Sequence, residues 1–496
     1  MAPPEIPELH RHAADDAYAA VTHRSRSESI VDGGDDGVYE GCGAGYLRVK
    51  FVLKIVCLLL ATSIVLVQQA AADDDSPNLI RDVETETMLR TFEMPVWHAA
   101  GLDPNALHFY IVQDPQLNSF VAGGQNIFMN TGTIERADRP NELVGIMAHE
   151  TGHIAGGHLA RFAAEMHDAT IKAIIAMVVG GAAALAGGQP GGIGGAMAGG
   201  EGVGERSFLS FSVAQEGAAD HAALGFLDST HQSSKGLLDF FKILEPEELL
   251  SPARQDPYLR THPLTQERIE YVRQHVLQSP YTKNPDPPQW IAMLNNVKAK
   301  LHGFLDPPAV TLEKYPADDK SVPARYARAI AYYRIPELEK ALAEIDGLIH
   351  DQPNNPYFWE LKGQMLFENG RVADAVAPYQ RAVALNSAPL LRVELAQVEL
   401  ETGDPSLLPK ALAQLSDAVS YESDNPDAWH FLAIAYGRSN NIGMAALSLA
   451  EEGMANGDYK TAIQQSQRAR QILPAGPQRQ RAEDIHSEAK RIQDRS

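Results

Sequence analysis

The chain has 496 residues, is 44% hydrophobic and 21% charged, and carries a formal net charge of −22. That length and apolar fraction suffice for two or three packed domains, each with its own core. The acidic balance excludes a nucleic-acid partner, because phosphate binding needs clustered Lys and Arg that this chain does not offer.

Residues 1–46 are polar, acidic and rich in Gly and Ser, and they show no apolar periodicity. They read as a disordered extension, or as a stretch upstream of a true start near Leu47 or Val49. Residues 47–72 read as a signal peptide. Arg48, Lys50 and Lys54 form a basic segment, Ile55 to Val67 an apolar core of thirteen residues, and Ala70-Ala71-Ala72 a small-residue cleavage site. Thirteen apolar residues are too few to span a bilayer comfortably, which favours cleavage over an anchor. Both cysteines, Cys42 and Cys57, precede the cut, so the exported chain would hold no thiol.

From Asn78 to about Ala100 the pattern predicts a helix, with Leu79, Val83, Thr87 and Leu89 on one side. Three short apolar runs follow, Leu107 to Val112, Ser119 to Val121 and Ile127 to Met129, the last two separated by Ala122-Gly123-Gly124-Gln125-Asn126. Such runs read as strands of a small sheet. Pro140 then opens a helix, where its missing N–H costs nothing, and Leu143, Ile146 and Met147 continue at helical spacing. Residues 171–204 are rich in Gly, Ala and Met. They read as a mobile lid or membrane-touching flap, as a buried hairpin, or as a marginal membrane span. A second helix is expected over roughly Phe211 to Leu227. Beyond a Pro-rich linker, Trp359, Gly363, Gly370, Ala375, Tyr379 and Ala382 fall at tetratricopeptide positions, as do Trp429, Ala433, Tyr436 and Ala445. Helix pairs of this kind stack because none can bury its apolar face alone, and the stack presents a groove.

The helix that Pro140 opens contains MAHETGHIAGGHL, Met147 to Leu159. His149 and His153, four residues apart, can aim ring nitrogens at one metal ion, with Glu150 beside it. Zinc then lacks a third protein ligand. His158 is one candidate, but the extended metzincin pattern wants that histidine at position 159, which is Leu159. His158 therefore reads as a polar residue just after the helix. Glu216 is the better candidate. It stands four before Asp220 on the second helix, so one carboxylate can coordinate while the other accepts a hydrogen bond from a ligand histidine.

The order of NSFVAGGQNIFMNTG, HETGH, Glu216-x-x-Ala219-Asp220 and RTHPLTQERI (Arg260 to Ile269) resembles the CAAX-prenyl-endopeptidase and HtpX family of gluzincin metallopeptidases. With the signal peptide and the repeats, the chain looks like the periplasmic BepA-like branch of that family. The resemblance implies one Zn2+ held by His149, His153 and Glu216, Glu150 as the general base and Asp220 behind the ligands. It also implies that His262 and Arg268 lie near the metal. His262 would either stabilise the oxyanion or occupy the open zinc position and hold the enzyme shut. A substrate would lie as an added strand along the sheet edge, near Phe120, Val121 and Ala122 or near Ile127 to Asn130.

The expected fold is α+β and mainly α. A gluzincin metallopeptidase domain with a small β-sheet spans 73–305 and contains the 171–204 insertion, and an all-α tetratricopeptide-repeat domain spans 306–496. The expected function is a periplasmic zinc endopeptidase of the bacterial cell envelope acting on protein substrates, with misassembled outer-membrane proteins among the candidates. The repeats would dock substrates or a protein partner such as the outer-membrane assembly machinery, and 171–204 could touch the membrane peripherally. The alternative is a chaperone or scaffold in which the repeats carry the function and the zinc site is latched or vestigial.

Overall fold

Asp82 decides where the first helix begins. Its backbone is extended and its carboxylate accepts from the Thr85 amide, satisfying one of the donors that a helix start leaves open. Helix α1 therefore runs Val83–Ala100, not from Asn78, and ends at Gly101 in the left-handed region. The freed residues Leu79–Ile80 form a two-residue strand, β1, antiparallel to β2 (His108–Val112). These and later contacts come from a computed structural model that describes residues 78–122, 124–158, 213–246 and 257–494. The signal peptide, the extension before it and the 171–204 insertion lie outside those residues.

Strands β3 (Ser119–Ala122) and β4 (Asn126–Asn130) complete a sheet of order β1-β2-β4-β3, with β2 and β4 parallel and β3 antiparallel to β4. Ile111, Val121, Ile127 and Met129 send their side chains into the main core. On the opposite face Tyr110, Phe128 and Phe120 stack in a row, with centroids 4.9 and 5.0 Å apart. After α2 (Thr131–Arg136), helix α3 (Pro140–Ala155) is buried from Pro140 through His153. It packs against α4 (Val213–Ser229), α5 (Lys235–Leu244) and α1. Two glycines permit this. A Cβ on Gly152 would lie 2.7 Å from the Ala219 carbonyl oxygen of α4, and one on Gly145 would lie 2.6 Å from the Leu237 amide nitrogen of α5. Short α6 (Pro257–Thr261) and α7 (Gln266–Gln278) close the core.

Helix α8 (Pro288–Leu305) packs on α1, where Phe92 meets Trp290 at 4.8 Å, and also on α10 (Val322–Arg334), with α9 (Pro308–Lys314) between the two in sequence. The remaining helices are α11 (Leu338–Asp351), α12 (Pro356–Glu368), α13 (Val372–Leu385), α14 (Pro389–Glu401), α15 (Leu408–Tyr421), α16 (Pro426–Arg438), α17 (Ile442–Ala455), α18 (Tyr459–Ile472) and α19 (Pro477–Gln493). Successive helices pack together, as the repeat pattern anticipates. Gly363 of α12 leaves room for the Tyr379 ring of α13, and Gly370 turns between them at φ +76°. Trp359 and Trp429 each donate an indole N–H to a carbonyl six residues earlier, Pro353 and Ser423. The same local bond recurs in separate repeats. Among the described residues, no helix is long and apolar enough to cross a membrane.

A buried polar cluster joins α1 to the helices that follow α7. Lys300 of α8 pairs with Asp82 and lies 3.7 Å from Glu84 and 3.9 Å from Glu360, while the Tyr326 hydroxyl donates to Glu84 at 2.9 Å. Burial pushes Glu84 up to about 7, although Lys300 draws it down. A carboxyl held above its unfolded value keeps its proton longer when folded, so its contribution to stability falls as pH rises from about 4.5 to about 7. Glu84→Gln removes that ionisation and keeps an oxygen for Tyr326. The variant should gain on the order of 3 kcal/mol over the parent between about pH 5 and about pH 8. Urea unfolding at both pH values measures this, and a difference independent of pH would refute it.

Candidate metal centre

Helical spacing brings His149 and His153 onto one face of α3, and the close approach at Gly152 sets α4 against that face. Glu216 and Asp220, one turn apart on α4, then meet the two rings. His149 Nε2 lies 3.4 Å from Glu216 Oε2, His153 Nε2 lies 3.3 Å from Glu216 Oε1, and the two Nε2 atoms are 3.1 Å apart. The loop after α6 brings in His262, with Nδ1 3.2 Å from Glu216 Oε1 and Nε2 3.6 Å from Glu150 Oε1. All six side chains are fully buried.

The donor atoms suit a cation. Ligand bonds of about 2.0–2.1 Å around tetrahedral zinc place neighbouring ligand atoms about 3.3–3.4 Å apart; the two ring nitrogens are 3.1 Å apart, and each lies at about that edge length from one of the two Glu216 oxygens, 3.4 Å for His149 and 3.3 Å for His153. With His262, the candidate ligand atoms all fall within 4.8 Å of one another. Their charge points the same way. His149 is pushed up to about 9, since its bonds to Asp220 and Glu216 outweigh burial, so the site favours a positive charge at this spot. A metal would displace that proton. Burial pulls Glu216 up, but His262, His149 and His153 outweigh it and hold the carboxylate well below its usual range. His153 is pushed down by burial to about 3, leaving a neutral ring.

Behind these groups Asp220 Oδ1 lies 2.9 Å from His149 Nδ1, where it would hold a proton on Nδ1 and leave Nε2 to a metal that displaces the other. Arg268 of α7 fixes Asp220 through two bonds, Nε at 2.7 Å and Nη2 at 3.0 Å, and pairs with Glu216 Oε2 at 2.8 Å. Burial penalises Asp220, yet His149 and Arg268 keep it below its ordinary value. Glu150 differs from the other carboxylates. Neither of its oxygens has a hydrogen-bond partner among the described residues, and burial pushes it up to about 7, against the pull of His262 and His149.

Phe120, Val121 and Ala122 lie in β3, at one edge of the sheet, whereas Ile127 to Asn130, the other expected edge, lie in β4, which is paired on both sides and closed to an added strand. Among the described residues no strand pairs with the outer side of β3, and the β3 loop is tied to the site by the Tyr258 amide, which donates to Leu117 O. Three neighbours of the site escaped the sequence reading. The Tyr258 ring packs on His262 at 4.6 Å, and its position four before His262 was the available signal. Thr151 donates to Glu93 of α1 at 2.8 Å, a pairing 58 residues apart that no local pattern announces. His158, just after the helix as expected, is buried against His153, a contact the spacing did not show.

Residues 85–276 match Peptidase family M48, and residues 324–389 match the tetratricopeptide repeat. The chain is similar to the beta-barrel assembly-enhancing protease of Yersinia pestis, 26% identical over 371 residues, or 70% of this chain and 72% of that one. It is also similar to the protein of that name in Escherichia coli (strain K12), at 23% identity over 386 residues covering 76% and 77% of the two chains. Among solved structures, YrrB, a tetratricopeptide protein with an unusual peptide-binding site, aligns at 19% identity over 36% of this chain and 92% of its own, with a TM-score of 0.30.

Proposed function

We propose a residue-level mechanism and a cellular role for this chain as a zinc metallopeptidase, from the match of residues 85–276 to peptidase family M48 and of residues 324–389 to the tetratricopeptide repeat. His149, His153 and Glu216 hold the zinc, Asp220 orients His149, and Arg268 locks Asp220 and Glu216 in place. Zinc, when bound there, supplies Lewis-acid polarisation of the scissile carbonyl and makes a water easier to deprotonate. Glu150 takes that proton and returns it to the leaving nitrogen. The observation that carries this role is the pair of buried Glu150 oxygens, which among the described residues have no hydrogen bond to give up and face the ligand cluster. A peptide in extended form adds to the outer edge of β3, where main-chain hydrogen bonding would not depend on its sequence.

The peptidase domain is taken as 73–305 and the repeat domain as 306–496, the latter docking substrates or a protein partner. Export to the periplasm, with cleavage near Ala72, agrees with the signal-peptide pattern at 47–72. The name shared by the similar proteins, beta-barrel assembly-enhancing protease, supports misassembled outer-membrane proteins as substrates and their assembly machinery as partner.

His262 faces both Glu216 and Glu150, which suits a group that fills the fourth zinc position and holds the enzyme closed. The expected result for His262→Ala is one zinc per chain and faster cleavage of an unfolded protein than the parent. Slower cleavage with zinc retained would assign His262 to the oxyanion instead. Zinc binding with no cleavage by parent or variant would leave only a scaffold role.

A further inference from the structure

We infer that His158 is a positioning residue for His153, carried back to it by the Gly156-Gly157 pair; this rests on the reading of His153 as a zinc ligand. Helix α3 ends at Ala155. The Gly156 amide still donates to Gly152 O, and the Gly157 amide donates to Ile154 O. Gly157 then takes φ +61°, a left-handed conformation that glycine adopts without strain, and the chain doubles back. His158 consequently lies over the helix end, only 4% exposed, with its Nδ1 2.9 Å from His153 Nδ1 and the two rings 5.0 Å apart at 75°. Gly156 provides the space. A Cβ at that position would lie 2.6 Å from His158 Nε2 and 2.9 Å from Cε1, so the imidazole occupies the volume a side chain at 156 would fill.

The contact constrains protons. His153 Nε2 faces His149 Nε2 and Glu216 Oε1, so as a ligand it must offer its lone pair there. A neutral ring then carries its hydrogen on Nδ1, and that hydrogen points at His158 Nδ1, which accepts it. His158 is thereby fixed as the tautomer protonated on Nε2. Its relation to His153 parallels that of Asp220 to His149: each ligand ring is held by an acceptor on the nitrogen away from the metal. The holders differ in charge. Asp220 is balanced by Arg268, whereas a carboxylate at 158 would add a further negative group beside Glu150, Glu216 and Asp220, so a neutral acceptor costs less there. Histidine 158 therefore belongs to the metal site without touching the metal.

Zinc alone is the probe, titrated into the full chain against a fluorescent chelator at fixed pH. His158→Ala should weaken zinc binding by roughly 10- to 100-fold, the usual cost of losing the partner behind a ligand histidine. His158→Asn, whose side-chain oxygen can accept, should bind more tightly than the apolar His158→Leu. Gly156→Ala, which touches no ligand, should also weaken binding because the ring must move. If Leu holds zinc as well as Asn does, the residue only fills space and the inference falls. It falls too if His158→Ala and Gly156→Ala both match the parent while His153→Ala loses the metal. Retention of zinc by His153→Ala would instead overturn the ligand reading beneath it.

Discussion

Glu150→Gln is expected to retain one zinc per chain and to cut protein hydrolysis by roughly a hundredfold to ten-thousandfold, the usual range for a positioned general base. The amide keeps the shape of the carboxyl, and Glu150 does not belong to the group of candidate ligands, so the metal has no reason to leave. What is lost is the capacity to take and return a proton. Burial brings the Glu150 carboxyl up to about 7, where uptake and release are both accessible near neutral pH. Zinc content and cleavage of an unfolded protein, measured on the same preparation, decide the matter. A variant with zinc and undiminished turnover would remove Glu150 from the mechanism.

Glu216→Ala should fail earlier, by losing the metal. Its carboxylate lies within 3.4 Å of both ligand histidines, 3.2 Å from His262 and 2.8 Å from Arg268. Removing it takes away a ligand atom and one of the two carboxylates, with Asp220, that pair with His149 and Arg268. Zinc affinity should therefore fall by more than the roughly 100-fold upper range expected of an outer partner such as His158. Glu216→Gln keeps the volume and one acceptor oxygen, and it separates loss of charge from loss of packing. Circular dichroism on both variants checks that the fold survives, and normal zinc stoichiometry and affinity in both would refute the assignment.

Much of the architecture was written in local patterns. The three strands after the first helix and the second helix of the site lie within a few residues of where periodicity and Gly place them, and the first helix of the site opens at Pro140, because helical and extended repeats are properties of short windows. Both i,i+4 pairs, His149 with His153 and Glu216 with Asp220, were readable for the same reason. The exception at the N-terminal end is instructive. Leu79 and Ile80 fit a helical pattern, but Asp82 caps the helix from Val83 and leaves two residues free to pair with β2, a bond to a partner over 30 residues away.

The sequence alone determined which residue types stand one turn apart, where zinc-binding chemistry was to be found, and that helical repeats follow it. Tertiary structure decided how those pieces meet. The absence of a side chain at Gly152 lets Ala219, 67 positions later, approach closely enough for one carboxylate to reach two imidazoles. The turn at Gly157 sends His158 back to His153, where spacing had indicated only a polar residue just after the helix. Arg268, His262, Tyr258 and Glu93 reach the site from three other segments, through packing of the whole core. Spacing in sequence measures rotation along one helix, whereas approach between helices depends on what each surface leaves empty, and that is settled only when the core closes.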